Sequence, residues 1–134
     1  YVDISSFKLF LLDCGLLGAM SEIPAEKLLV ADNGMEESKG AFTENYLMSQ
    51  LVATNDTSVF YYSNDAKLEI DFLIQHGCDI VPIEAKAEEN LRSKSLSTFV
   101  ANHPQLHGVR FSMSDYREQD WLTNIPLYAA SVYF

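Results

Sequence analysis

The stretch that decides the fold runs Leu68-Glu69-Ile70-Asp71-Phe72-Leu73-Ile74-Gln75-His76-Gly77-Cys78-Asp79-Ile80-Val81-Pro82-Ile83-Glu84-Ala85-Lys86. Two alternating apolar runs flank the short polar segment His76 to Asp79, the pattern of a β-hairpin. If that segment closes the hairpin, Ile70/Ala85, Phe72/Ile83 and Ile74/Val81 pair on one face. Asp71 then lies opposite Glu84, and Glu69 opposite Lys86, on the other. Slipping the register by one residue would set Asp71 against Ile83, so the hydrophobic pattern itself selects the pairing. Pro82 has no N–H to give a ladder and is expected at an unpaired position early in its strand.

Upstream, Lys39 to Ala53 reads as a helix. Its anomaly is Glu44, which at about 100° per residue falls between Leu47, Met48 and Leu51, while Thr43, Asn45, Ser49 and Gln50 take the polar positions. A carboxylate among leucines needs a cation, a metal ion or a hydrogen-bond network, because burying it alone costs several kcal/mol. Between helix and hairpin, Thr57 to Ser63 is a strand by its aromatic and β-branched content, and Asn64-Asp65-Ala66 is a turn. Beyond the hairpin come a polar loop over Glu88 to Ser93 and a helix over Lys94 to Asn102 carrying Leu96, Phe99 and Val100. His103-Pro104 ends that helix, and a strand follows from Gly108. Ser114 to Asn124 reads as a polar connection containing Trp121, and Ile125 onward as an apolar segment of open type.

Ahead of this core, Ser6 to Met20 is nearly all apolar except for Lys8 and Asp13, either a strand entering a helix or one buried helix. Pro24-Ala-Glu-Lys-Leu-Leu fits a first helical turn, and Asp32 to Ser38 a connecting loop. The expected organisation is one compact domain: residues 1–38 as an apolar and helical extension packed on a core at 39–134. The order helix-strand-strand-strand-helix-strand places the fold in the α/β class, a mixed sheet flanked by helices.

The 134 residues are 48% hydrophobic, enough to bury a core. Nothing approaches the ~18 apolar residues a membrane span needs, so no membrane partner is expected. The start, Tyr-Val-Asp-Ile, has no basic n-region and no initiator Met, which suggests a fragment of a longer chain. Cys14 and Cys78 lack a Cys-x-x-Cys spacing, against a disulfide scaffold or structural zinc and in favour of a cytoplasmic setting. The net charge of -10 is the opposite of the basic footprint of a dedicated nucleic-acid binder.

Helix acid Glu44, strand acid Asp71 and Glu84-x-Lys86 on the next strand resemble, in order and element type, the signature of the PD-(D/E)xK nuclease superfamily. The resemblance implies a restriction endonuclease-like fold and a site built from Glu44, Asp71, Glu84 and Lys86. It further implies Mg²⁺ (or Mn²⁺) held by Asp71, Glu84 and the Ala85 carbonyl, with Glu44 on the ion or its waters. Lys86 would assist the attacking water and the phosphate, and the substrate would be DNA or RNA. Oxygen donors of this kind suit Mg²⁺, which can polarise a phosphoryl oxygen and acidify a water. The competing reading of the same residues is a structural ion-pair network in which Lys86 satisfies the acids without metal.

A narrower resemblance covers nearly the whole chain. Phe7-Lys-Leu-Phe-Leu-Leu-Asp13-Cys-Gly15, Lys39-Gly40-Ala-Phe-Thr-Glu44-Asn45, Tyr61-Tyr62, Glu69-Ile-Asp71-Phe72, Ile83-Glu84-Ala-Lys86 and Ile125-Pro126-Leu-Tyr128 look like the domain of unknown function that follows the ATPase module in many prokaryotic AAA+ proteins. It implies an upstream ATPase module in the parent chain; an oligomer is compatible with the sequence, which leaves the oligomeric state open. No G-x-x-x-x-G-K-[ST] occurs, so no ATP is expected to bind here. The family commonly has an Arg after the two aromatics, where this chain has Ser63-Asn64. Two functions follow: a Mg²⁺-dependent phosphodiesterase coupled to the ATPase, or a catalytically inactive nuclease-fold module for partner recognition or assembly.

Overall fold

A computed structural model describes residues 6–24, 26–27, 36–54, 58–64, 67–87 and 92–133. Its elements are helix α1 (Cys14–Ser21), helix α2 (Glu36–Thr54), strands β1 (Phe60–Ser63), β2 (Glu69–His76) and β3 (Asp79–Ala85), and helix α3 (Lys94–Asn102). Then come β4 (Gly108–Ser112), β5 (Arg117–Glu118), β6 (Leu122–Pro126), a 3-10 turn (Leu127–Ala129) and helix α4 (Ala130–Tyr133). The strands form one mixed six-stranded sheet in the order β1-β2-β3-β4-β6-β5. The β1–β2, β2–β3 and β5–β6 pairs are antiparallel, and β3–β4 and β4–β6 are parallel. Among the described residues no helix is long and apolar enough to cross a membrane.

The chain is α/β, with helices on both sides of the sheet. On one side, Leu47 and Leu51 of α2 pack on Phe72, Ile74, Ile83, Val109, Phe111 and Ile125. On the other, Leu96, Phe99 and Val100 of α3 pack on Ile70 and Leu122. Because both faces are covered, the central strands bury polar residues (Arg110, Ser112, Thr123 and Asn124) as well as apolar ones. Helix α3 keeps the boundaries that its apolar spacing predicts, with His103 at its C-cap. Helix α2 is longer than expected and absorbs 36–38 from the supposed loop. The expected connection at 114–124 holds the short strand β5 and the start of β6 at Leu122; of the open-type tail, Ile125 and Pro126 finish β6, and the rest is the 3-10 turn and helix α4, in which only Ala130 is buried.

In the hairpin, Phe72 pairs with Ile83 and Ile74 with Val81, as the pattern predicts. The turn is tighter than expected, because His76 pairs with Asp79 and only Gly77 and Cys78 remain. Gly77 sits at φ 62, which a turn of the II′ kind requires at its first central residue. Pro82 is paired and buried, not unpaired. The Ala85 amide faces β2 and the Lys86 amide faces β4, where it bonds Phe111 O at 2.9 Å. By alternation the Pro82 nitrogen faces β4, one residue before that ladder begins at Ile83, so no bond is lost.

The expected two-faced hairpin holds only in part. Phe60 pairs with Leu73 but Tyr62 with Ile70, three residues of travel on β2 against two on β1. This β-bulge breaks strict alternation between Ile70 and Phe72. Ile70 therefore packs under α3 while Phe72 and Ile74 pack under α2.

Residues 6–13 form neither strand nor helix and lead into helix α1, which has no buried residue, so the buried strand or helix expected over Ser6 to Met20 is not found: the segment lies on the surface of the core. Asp13 caps α1 by accepting from the Leu16 amide at 2.8 Å. Thr43 and Asn45, expected on a polar face, are buried. Asn45 Oδ1 accepts the Leu11 amide at 2.7 Å, and Thr43 Oγ1 donates to Lys39 O at 2.8 Å. The extra layer converts polar positions of the isolated helix into buried, hydrogen-bonded ones. Of the remaining expectations, Glu26 and Lys27 are helical. Residues 28–35, 65–66 and 88–91, Thr57 and Phe134 lie outside the described residues.

Candidate functional site

Asp71 lies on the bulged stretch of β2, and its Oδ2 accepts the Ala85 amide of β3 at 2.9 Å. A side-chain oxygen thereby takes a donor that faces the neighbouring strand. Its other oxygen faces the ammonium of Lys8 at 3.7 Å. The same Lys8 Nζ lies 3.4 Å from Glu44 Oε2 and 2.7 Å from Glu69 Oε1. One cation from the N-terminal segment thus joins the helix acid to two strand acids. Lys8 also sits 5.9 Å from the centre of the Tyr61 ring, within cation–π range. The carboxylate predicted to be out of place on α2 has its cation, though from a residue the sequence reading assigned no role.

The electrostatics follow from crowding three acids around one amine. Burial, followed by the fields of Glu44 and Glu84, pushes the Asp71 carboxyl up to about 6, against the lowering effects of the Ala85 amide and Lys8. For Lys8, burial acts to lower the pKa. The hydrogen bond to Glu69 and the charges of Glu44, Asp71 and Glu69 outweigh it, and the net shift is upward.

Glu84 and Lys86 form a second group. Glu84 Oε1 lies 2.9 Å from Lys86 Nζ, and among the described residues its buried Oε2 has no hydrogen-bond partner. Glu84 pairs in register with Arg110 of β4, and Arg110 with Asn124 of β6. Arg110 is almost fully buried, donating to Asn124 Oδ1 at 2.8 Å and to Ser93 Oγ at 3.1 Å. Burial lowers its pKa, with Glu84 acting to raise it and Arg117 to lower it further. Ser93 starts α3, so this row lies on the α3 side of the sheet. Ile83 and Ala85 pack on the α2 side. Of the four residues singled out from sequence, Glu44 and Asp71 meet around Lys8, and Glu84 and Lys86 pair with each other. Asp71 links the groups through the Ala85 amide and the field of Glu84. The expected Glu69–Lys86 cross-strand pair does not form, because the bulge turns Glu69 to Lys8.

Mg²⁺ requires near-octahedral oxygens and retains several waters. As the side chains stand, Lys8 fills the space between Glu44 and Asp71, Ala85 N–H engages one Asp71 oxygen, and Lys86 engages one Glu84 oxygen. Among the described residues no group of three or more His, Cys, Asp or Glu is placed to hold a metal ion. This arrangement does not fit the ion that the resemblance implies.

Sequence reasoning passed over Lys8, Arg110 and Asn124. A signal existed for the first two: each is a single cation inside an apolar run, the same kind of anomaly that drew attention to Glu44. Asn124 gave none. It accepts from Arg110 and Ser112 and donates to Asp115 O at 2.8 Å, a role set by strands distant in the chain.

In comparison with known proteins, the model of the family described as Domain of unknown function (DUF4143) matches residues 39–129. No curated protein and no solved structure matches the chain.

Proposed function

We propose, from the premise that the chain belongs to the DUF4143 family of domains of unknown function, that it is a nuclease-like domain of a AAA+ type ATPase acting in partner recognition or assembly, without cutting nucleic acid. The observation that carries this reading is the Lys8 ammonium, 2.7 to 3.7 Å from Glu69, Glu44 and Asp71, in the space a shared metal ion would need. An internal cation offsets part of the acids' charge without creating a nucleophile, whereas a metal would acidify a water. Further support comes from the order α2-β1-β2-β3-α3-β4, which parallels the nuclease core. The net charge of -10 repels phosphate backbones, and no Arg follows Tyr62. Cys14 and Cys78 are free thiols, which suits a reducing, cytoplasmic setting.

A second reading, a metal-dependent phosphodiesterase, is favoured by one observation: the buried Glu84 Oε2 that lacks a hydrogen-bond partner among the described residues, beside Lys86. There Asp71 and Glu84 would be the metal-facing acids and Lys86 the phosphate-facing amine. One experiment separates the two. The full chain is incubated with end-labelled DNA and RNA and Mg²⁺ or Mn²⁺, beside Glu84→Ala. The recognition reading expects no cleavage above the Glu84→Ala background. Metal-dependent cleavage that Glu84→Ala abolishes overturns it in favour of the second.

A further inference from the structure

The N-terminal segment crosses the acid cluster with alternating side chains. Lys8 enters the cluster and Phe10 packs against Phe72, with ring centres 5.6 Å apart. Phe7 and Leu9 point outward, 75% and 79% exposed, and Leu12 is 86% exposed. Single exposed apolar residues are ordinary, but three within six residues of one anchored segment make a patch that water solvates poorly.

Beneath this segment, Lys8 divides two open cavities. One, of about 500 Å³, is walled by Phe7, Phe10, Tyr61 and Phe72, with Asp71 on its lining. The other, of about 360 Å³, is bounded by Leu9, Leu17, Glu44, Asn45 and Glu69. Lys8 is the sole basic side chain lining either cavity among the described residues. Three carboxylates facing one ammonium leave two negative charges uncompensated when all are ionised, and Glu69 is half exposed to whatever approaches. The patch therefore combines exposed apolar groups with a deficit of positive charge, and the two features share borders through Phe7 and Leu9.

We infer that this face docks a basic amphipathic segment of a partner protein, its apolar side chains on Phe7, Leu9 and Leu12 and its arginine or lysine side chains on the exposed sides of Glu69 and Glu44, beside Lys8. Charge complementarity selects this occupant. A nucleic acid would bring phosphates toward uncompensated carboxylates, and a second copy would bring another acidic chain. Lys8 shows that these carboxylates accommodate an alkyl ammonium, and the Tyr61 ring beside it favours a second cation.

The inference rests on the reading of the domain as a recognition module, but its test measures binding and involves no cleavage. Nuclease activity would overturn that reading and leave this result standing, and failed binding would do the reverse. The probe is a synthetic amphipathic leucine–arginine peptide, with its leucine–glutamate counterpart as control, titrated into the full chain by calorimetry. Because any acidic protein attracts a basic peptide, Asp79→Asn/Asp120→Asn serves as a charge-matched control for Glu44→Gln/Glu69→Gln. The leucine–arginine peptide should bind and the glutamate peptide should not. Glu44→Gln/Glu69→Gln and Leu9→Ser should each weaken binding by about tenfold, as expected at an interface centre, and the Asp79/Asp120 control by less than about twofold. Leu9 is exposed, so its substitution reports on docking even if the acid variants lose stability. Equal losses in both charge pairs, no effect of Leu9→Ser, or self-association abolished by Leu9→Ser would each overturn the inference.

Discussion

Asp71→Asn removes a charge that burial disfavours, and its consequence has a calculable pH dependence. Burial holds the folded-state carboxyl at about 6 against an ordinary value of 3.8, so the folded protein binds this proton more tightly than the unfolded chain does. The stabilisation from protonation is complete below the unfolded value and is lost as pH rises through 6, so the wild type bears the full cost of the ionised group above that. The whole shift corresponds to about 3 kcal/mol at roughly 1.36 kcal/mol per unit. Between pH 5 and pH 8 the linkage expression gives about 1.4 kcal/mol, with the rest falling below pH 5. That lower range approaches the isoelectric point near 4.5, where solubility is lowest. Asparagine keeps an acceptor for the Ala85 amide and carries no charge to desolvate. The stability advantage of Asp71→Asn over wild type should therefore grow by about 1.4 kcal/mol from pH 5 to pH 8. Urea unfolding followed by Trp121 fluorescence at a series of pH values measures both proteins, and the difference cancels the titration of the other acids. A difference that is flat, or that shrinks as pH rises, would refute the assignment of a strained carboxylate to Asp71.

Lys8→Met keeps the alkyl stem and deletes the ammonium. It should destabilise the domain by roughly 1–2 kcal/mol in urea unfolding, between the values for exposed and buried pairs because Lys8 is one-fifth exposed. In the same variant the Asp71 carboxyl should titrate still higher, read from its side-chain carbon shift by NMR, and an unmoved titration would place Lys8 outside the cluster. Arg110→Ala should cost about 3 kcal/mol, since it strips a buried guanidinium from Asn124, Ser93 and the field of Glu84. A thermal midpoint within a degree or so of wild type would contradict the buried network.

Much of the fold was legible where local pattern and burial agree. Leu96, Phe99 and Val100 at helical spacing specify α3 to the residue, and Phe72 opposite Ile83 follows from the period of two. The same period misplaced Ile70 and Glu69, because a bulge on β2 shifts the alternation and leaves no mark in the hydrophobic pattern. On α2, the apolar neighbours of Glu44 call for a cation, a metal ion or a hydrogen-bond network; that the partner is Lys8, 36 residues away, depends on how the N-terminal segment is laid down. Thr43 and Asn45 fall on polar positions of the isolated helix, which has no second layer to bury them.

The sequence by itself determined the α/β class, the helix and strand periods, and the presence of an acid among the apolar positions of a helix. Those properties depend on side-chain chemistry repeated at short spacing, which a linear text preserves. Tertiary structure alone decided that an ammonium stands among Glu44, Glu69 and Asp71, that Glu84 and Lys86 pair beside Arg110, and that Phe7 and Leu9 face outward. Each of these depends on which distant segment fills a given volume, and Coulomb energy and desolvation change steeply over the few ångströms that separate one filling from another.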